Sequence, residues 1–332
     1  MRVTTLAIAF FTAAFFLFSP GTAAENTSRG ADVRRIVFLG DSITYAGGYI
    51  DCIEAVIRTR DPAWRGEILA LGLPSETVSG LSEPGHAAGK FPRPVLRERL
   101  DRVLDQTKPN LVVACYGMND GIYHPFSEAR FAAFTQGITH LRGRVAAAGA
   151  QLMHVTPPVF DPEPVRERTL PAGLDAYPKP YVGYNDVLDR YAAWLIAQRA
   201  AGWDVIDAHG PMNHALAQRR GGDPRFTFAK DGVHPDAAGH VIIARAILAA
   251  WNLRPDEGEL LARLAAPPES ELLKLIRTRR KLLSDAWLNA TRHERPGMAK
   301  GLPLPQAAIQ AADLEKKIRA LMATKPGGSL KS

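Results

Sequence analysis

The chain reads as a three-layer α/β/α sandwich around a five-stranded parallel sheet, with a helical hairpin appended at its C-terminal end. Three features lead there. Over residues 35–253, short apolar runs alternate with longer segments of helical periodicity, the pattern of strands joined by helical crossovers. Such crossovers are right-handed and bury both faces of a parallel sheet. Past Pro255 the alternation stops and two apolar helical stripes follow with no strand between them.

Taken in order, residues 1–24 have the layout of an export signal. Arg2 supplies a thin positive start, Leu6 to Phe18 an apolar core, and Ser19 to Ala24 the small residues of a cleavage site near Ala24. The apolar core falls short of the roughly 20 residues a membrane span needs, and no later segment qualifies. The expected product is an exported, periplasmic or extracellular protein without a stable membrane span. A polar linker fills residues 25–34.

Candidate strands are Ile36–Leu39, Glu67–Leu71, Leu111–Tyr116, Gln151–Thr156 and Trp203–Ile206. Helical stretches between them are Tyr49–Arg58, Pro94–Gln106, Ala129–Ala148 and Tyr184–Ala200, with a last one near Ala237–Trp251. Two long loops, 73–94 and 156–184, are punctuated by proline and glycine. Both follow strands and so belong at the carboxyl edge of the sheet, where open α/β folds bind ligands. The extension, 254–324, holds helices near Ser270–Ala290 and Pro305–Ala323. Docking against the body is the simplest role for this hairpin, and contact with a partner is the alternative. Residues 325–332 read as a disordered tail.

The chain carries a net charge of +7 with a pI near 9.5. From Arg254 to the end there are 15 Lys and Arg against 9 Asp and Glu, so +6 of the excess sits in the extension and the tail together. The body is close to neutral, which argues against nucleic acid as a partner, and the basic extension reads as a solvated helical face. Cys52 and Cys115 are the two cysteines. Export permits a disulfide, but their places in a helix and a buried strand suit two separate apolar thiols.

Three short motifs carry chemistry. Gly40-Asp41-Ser42 delivers a serine at the end of the first strand. Gly117-Met118-Asn119-Asp120 follows the third, and Asp231-Gly232-Val233-His234-Pro235 precedes the last helix of the body. A serine needs a base to take its proton. His234 can serve as that base, with Asp231 three residues earlier placed to hold the other ring nitrogen. An acyl-transfer site also needs donors for an oxyanion: the Ser42 N–H, the Asn119 amide and the Gly80 N–H are candidates, with Gly72 and Gly85 competing for the last place. Metal and nucleotide chemistry find no motif. His-Glu-x-x-His is absent, Gly85 to Phe91 fails as a phosphate loop, and His234 with His240 lacks the further ligands of a zinc site. His240 reads as a helix-face residue. His86, His124, His154, Tyr123 and Tyr181 are candidates to line the cleft.

Together, Gly40-Asp41-Ser42, Gly80, Gly117-Met118-Asn119-Asp120 and Asp231-Gly232-Val233-His234-Pro235 resemble the blocks of the SGNH/GDSL hydrolases, in order and spacing, over residues 35–251. The Gly80 block departs from the usual asparagine–glycine context, standing as Thr77-Val78-Ser79-Gly80. The resemblance implies a flavodoxin-like sheet and a Ser42–His234–Asp231 triad. It also implies an oxyanion hole of Ser42, Gly80 and Asn119, supporting roles for Asp41, Gly117 and Asp120, and neither metal nor cofactor. The expected activity is that of an exported serine esterase on a small-molecule or glycan ester, most readily an O-acetylated carbohydrate. Acyl transfer to a cell-envelope glycan is the alternative, and a non-catalytic glycan-binding protein the remote one.

Overall fold

A computed structural model describes residues 34–266 and 269–323. The signal segment, the linker apart from Arg34, and the tail 325–332 lie outside the described residues. The strands are β1 Arg35–Gly40, β2 Glu67–Ala70, β3 Leu111–Cys115, β4 Gln151–Val155 and β5 Asp204–Ile206. The helices are α1 Ser42–Ala46, α2 Gly48–Arg60, α3 Leu96–Thr107, α4 Glu128–Ala147, α5 Tyr184–Ala197, α6 His209–Arg220, α7 Ala237–Ala250, α8 Glu257–Ala265, α9 Glu269–Thr291 and α10 Leu304–Ala323.

All five strands pair in parallel in the order β2-β1-β3-β4-β5. This is the doubly wound order expected of a flavodoxin-like sheet. The apolar runs explain it. Ile36, Val37, Phe38 and Leu39 are fully buried, as are Leu111, Val112 and Val113, because a sheet covered on both faces has no wet side. The chain leaves β1 for β2 on one side and returns to β3 on the other, so the switch point lies between β1 and β3. Right-handed crossovers then place α2 on one face and α3, α4 and α5 on the other. α2 packs on α7 and α3 on α4. A stacked Phe134–Tyr191 pair, 4.3 Å between centroids, joins α4 to α5.

Each expected strand is found within a residue of its bounds. Three helices were not anticipated. α1 is a single turn, α6 buries only His209, Met212 and Leu216 of its twelve residues, and α8 lies in the extension. Helix α3 starts at Leu96 rather than Pro94 because Val95 is still extended, bridging in parallel to Thr77. Cys52 and Cys115 are buried free thiols, and burial pushes the Cys52 thiol up to about 12.

The extension docks on the body, and while most of its described lysines and arginines are exposed, as the charge count suggested, two are buried. Helix α9 lies against α2 and α10 against α9. Arg279 and Arg280 turn inward, 7% and 5% exposed. Arg279 pairs with Glu54 of α2 and Glu315 of α10. Arg58 donates to Glu54 at 2.6 Å and to both Glu315 oxygens at 3.0 and 2.9 Å. A small apolar cluster of Ala55, Leu272, Ile276, Ile318 and Met322 closes the same seam. The physical reason is that α2 buries Asp51 and Glu54 completely. Buried carboxylates need partners: Arg277 and Arg280 of α9 supply them to Asp51, and Arg279 of α9 and Arg58 of α2 supply them to Glu54. Glu54→Ala, which leaves the buried Arg58 and Arg279 to share Glu315 as their one carboxylate, is expected to cost about 3 kcal/mol in urea denaturation. An unchanged midpoint would show that the seam does not depend on this network.

Candidate active site

Strand β1 ends at Gly40, which pairs with Cys115 of β3. Asp41 then caps α1, its Oδ1 accepting the Ile43 N–H at 2.9 Å. Ser42 is the first residue of that helix, so its own N–H has no acceptor in the turn and points past the sheet edge. From the far end of the chain, His234 Nε2 lies 2.7 Å from Ser42 Oγ, and His234 Nδ1 lies 2.6 Å from Asp231 Oδ2. Asp231 Oδ1 accepts the N–H groups of Val233 and His234 at 3.0 and 2.8 Å. One carboxylate thus shapes the turn and holds the ring.

Partial burial pushes the Asp231 carboxyl up. The backbone N–H of His234, its imidazole and the Val233 N–H outweigh that and hold it below the ordinary carboxylate range. An ionised Asp231 can only accept, so Nδ1 carries the proton and Nε2 is free to receive the serine proton. The corner is fixed from outside. Gly232 O accepts the Asp161 N–H at 2.9 Å and Phe228 O the Asp236 N–H at 2.6 Å. Asp236 in turn caps α7.

The donor side is built from the loops after β2 and β3. Asn119 is 4% exposed. Its Oδ1 accepts from Arg93 Nη1 at 3.0 Å and from the Tyr123 hydroxyl at 3.1 Å. A guanidinium can only donate, so this contact settles which way the amide faces. The amino group therefore points the other way. One hydrogen goes to Glu76 O at 3.2 Å, which leaves the second free to donate. Gly80 is exposed, at φ +74°, and a side chain there would meet only Val95 Cγ1 at 3.8 Å. Its N–H has no partner among the described residues. The loop that presents Gly80 is pinned by Asp120, whose Oδ1 accepts the N–H groups of Val78 and Ser79, both at 2.8 Å. Asp120 is itself placed by its N–H on Gly117 O at 3.1 Å. Asp120 and Gly117 thus support the donor loop, and Asp41 supports the serine.

Beneath these loops lies a layer that was not anticipated. Arg93 is clamped by both oxygens of Glu83 at 2.7 and 2.6 Å. Glu76, fully buried, receives Arg99 through two bonds of 2.6 and 2.7 Å and the Tyr116 hydroxyl at 2.6 Å. The only local sign of Arg93 in the sequence is its position between Pro92 and Pro94, which stiffen the backbone around it.

The other candidates fall into place. The Tyr123 hydroxyl reaches Asn119, whereas Tyr181 meets this region through its backbone, its N–H donating to Tyr123 O at 2.8 Å while its ring packs edge-on against Tyr177. His86 braces its own loop, its Nδ1 2.9 Å from Phe91 O. His124 lies 5.4 Å from Tyr177, ring to ring, at the rim of the 156–184 loop. His154 does not line the cleft. It is 1% exposed within β4, stacked on Trp203, and burial with Arg142 nearby pushes it down to about 3. His240 is a helix residue packed inward on Tyr49 at 6.1 Å.

A doubly wound sheet whose switch point presents a serine, an imidazole and convergent hydrogen-bond donors defines an acylhydrolase. The chain belongs to the GDSL-like Lipase/Acylhydrolase family, whose profile matches residues 38–242, and is a carboxylic ester hydrolase. Solved structures share the fold. A gut microbial diltiazem-metabolizing enzyme matches at 21% identity with a TM-score of 0.50, over 66% of this chain and 47% of its own. The chain thus spans about half the length of that enzyme. Two variants of an acetylxylan esterase from Geobacillus stearothermophilus match at 18% identity over 67% of this chain. They are covered over 95% and 96% of their own length, with TM-scores of 0.49 and 0.50. No curated protein matches.

Two buried acids give the site a pH signature. Burial pushes Asp41 up to about 7 and Asp120 up to about 6, against the hydrogen bonds from backbone N–H groups that favour their charged forms. The folded state therefore binds these protons more tightly than the unfolded chain. That stability is complete below the ordinary value of 3.8 and is lost as pH rises through about 6 and 7. Asp41→Asn keeps the cap and cannot ionise. It is expected to gain melting temperature over the parent as pH rises from about 5 to 8, and a gap that does not widen with pH would contradict the assignment.

Proposed function

We propose that the protein is an exported serine esterase that removes short acyl groups, acetyl above all, from carbohydrate. Ser42 Oγ attacks the ester carbonyl while its proton passes to His234 Nε2. Asp231 stabilises the imidazolium and keeps it oriented. The N–H groups of Ser42 and Gly80 and the free Asn119 Nδ2 hydrogen receive the oxyanion. Collapse of the intermediate expels the alkoxide, which takes the proton from His234. Water, deprotonated by the same nitrogen, then cleaves the acyl-enzyme and restores the Ser42 hydroxyl.

The observation that carries the mechanism is the unbroken chain of hydrogen bonds Ser42 Oγ–His234 Nε2 and His234 Nδ1–Asp231 Oδ2, at 2.7 and 2.6 Å. The substrate class is supported by exposure. The His234 and Asp231 side chains are 47% and 53% exposed and Gly80 stands open at the rim, an arrangement suited to an ester displayed on a polymer rather than to a threaded acyl chain. Acetylxylan esterases share the fold, which is in keeping with this reading. Export rests on the layout of residues 1–24.

Ser42→Ala is expected to abolish p-nitrophenyl acetate hydrolysis with folding intact, and retained turnover would remove Ser42 from the mechanism. Asn119→Ala should lower kcat by about 10²–10³-fold. Mass-spectrometric release of acetate from acetylated polysaccharides tests the substrate. Turnover confined to long-chain p-nitrophenyl esters would rule the carbohydrate reading out.

A further inference from the structure

The C-terminal hairpin lies outside the span matched by the family profile, yet it reaches the helix that begins on Ser42. Helix α1 is five residues long. A single turn is not stable by itself, so its placement depends on what holds its two ends. Asp41 holds the first. The second is held by Arg280 of α9, whose Nη2 donates to Ala46 O at 2.7 Å and Nη1 to Tyr45 O at 3.2 Å. The same guanidinium donates to Asp51 of α2 through Nε at 2.5 Å and Nη2 at 3.2 Å. It lies flat against Gly47, the joint between α1 and α2. At φ +69° this position favours glycine, and a Cβ there would sit 2.4 Å from Arg280 Cζ.

A second grip is independent of the first. The Tyr45 hydroxyl donates to Asp285 Oδ1 at 3.1 Å, and the Lys281 ammonium stands 5.5 Å over the Tyr45 ring. Helix α9 therefore holds α1 by its last two carbonyls and by a side chain. Exposed carbonyls at a helix C-terminus can be satisfied by water or by a nearby arginine. Here the arginine is 5% exposed and spends four bonds on the α1–α2 joint, far more than closing a surface turn requires.

We infer that Arg280 is a positioning residue for Ser42 and that the hairpin is thereby a working part of the catalytic unit. The inference rests on Ser42 being the nucleophile. Releasing the end of a one-turn helix lets its first residue drift relative to His234, whose loop has no bond to α9 among the described residues. An error near 1 Å in such an alignment costs roughly a hundredfold in rate. The loss should appear in kcat, because the ester binds against the loops after β2 and β3, which α9 does not hold.

The test is made on the full chain. Arg280→Lys keeps the charge opposite Asp51 and forfeits the fork to the two carbonyls. Its kcat for p-nitrophenyl acetate is expected to fall about ten- to hundredfold, with KM within about twofold and the melting temperature within a few degrees. Fluorophosphonate labelling of Ser42 should slow in parallel. Tyr45→Phe, which removes only the bond to Asp285, should show a smaller loss of the same kind. Parent-like kcat in both variants overturns the inference. So does a loss in both that is accounted for by the loss of folded protein. Failure of the esterase reading looks different: the parent protein itself would neither hydrolyse the ester nor label at Ser42.

Discussion

Everything at the site follows from the parallel pairing of β1 with β3. Gly40 sits opposite Cys115, so the residues that leave the two strands, Asp41-Ser42 and Gly117 to Asp120, emerge side by side. β1 and β3 are neighbours in space while β2 intervenes in sequence. The chain must therefore turn away in opposite directions on leaving them, which opens the crevice that ligands use in doubly wound sheets. Slipping this pair by one residue would reverse the facing of every side chain on β1 and bury the serine. The fully apolar cores of both strands make such a slip costly.

A second constraint is the burial of charge close to that crevice. Glu76, Asp120, Asp41, Asp51 and Glu54 are all nearly or wholly out of water, and each meets its desolvation differently. Glu76 takes a guanidinium and a phenol, and Asp51 and Glu54 take arginines from the extension. Asp120 and Asp41 take backbone N–H groups, which favour ionisation less strongly than a full countercharge. Burial raises both of these carboxyls, and it raises Asp51 as well, against the pull of Arg280 and Arg277. The acids nearest the serine thus organise loops and caps, while the ionised acid beside the imidazole is the exposed Asp231.

The strands, the longer helices and the members of the serine, histidine and aspartate set were readable from sequence because each has a local signature. Apolar runs are bounded by glycine, Asp231 and His234 share one turn, and Ser42 follows a glycine at a strand end. Helix α1 was not readable, since one turn has no period. Arg93, Glu76 and Arg280 were not either. Their meaning lies in partners 26, 23 and 229 residues away, Asn119, Arg99 and Asp51, and an isolated charge in a loop or on a helix looks the same whether it is solvated or buried. The same blindness hid the two inward arginines of the mostly exposed basic extension, since counting charges could not reveal that α2 buries two carboxylates needing partners. His154, near the end of β4 and next to the 156–184 loop, reads as a candidate for the cleft, but the sequence does not show that its ring packs on Trp203 inside the fold.

The hydrogen bond between His234 and Asp231 spans three residues, and that between His234 and Ser42 spans 192. The first is a property of one turn and survives as long as that turn does. The second exists only while the whole sheet holds its two ends together. The site is thus a portable acid–base pair meeting a nucleophile delivered by the global fold. Whatever loosens the sheet is therefore expected to part Ser42 from the imidazole before it parts the imidazole from its carboxylate.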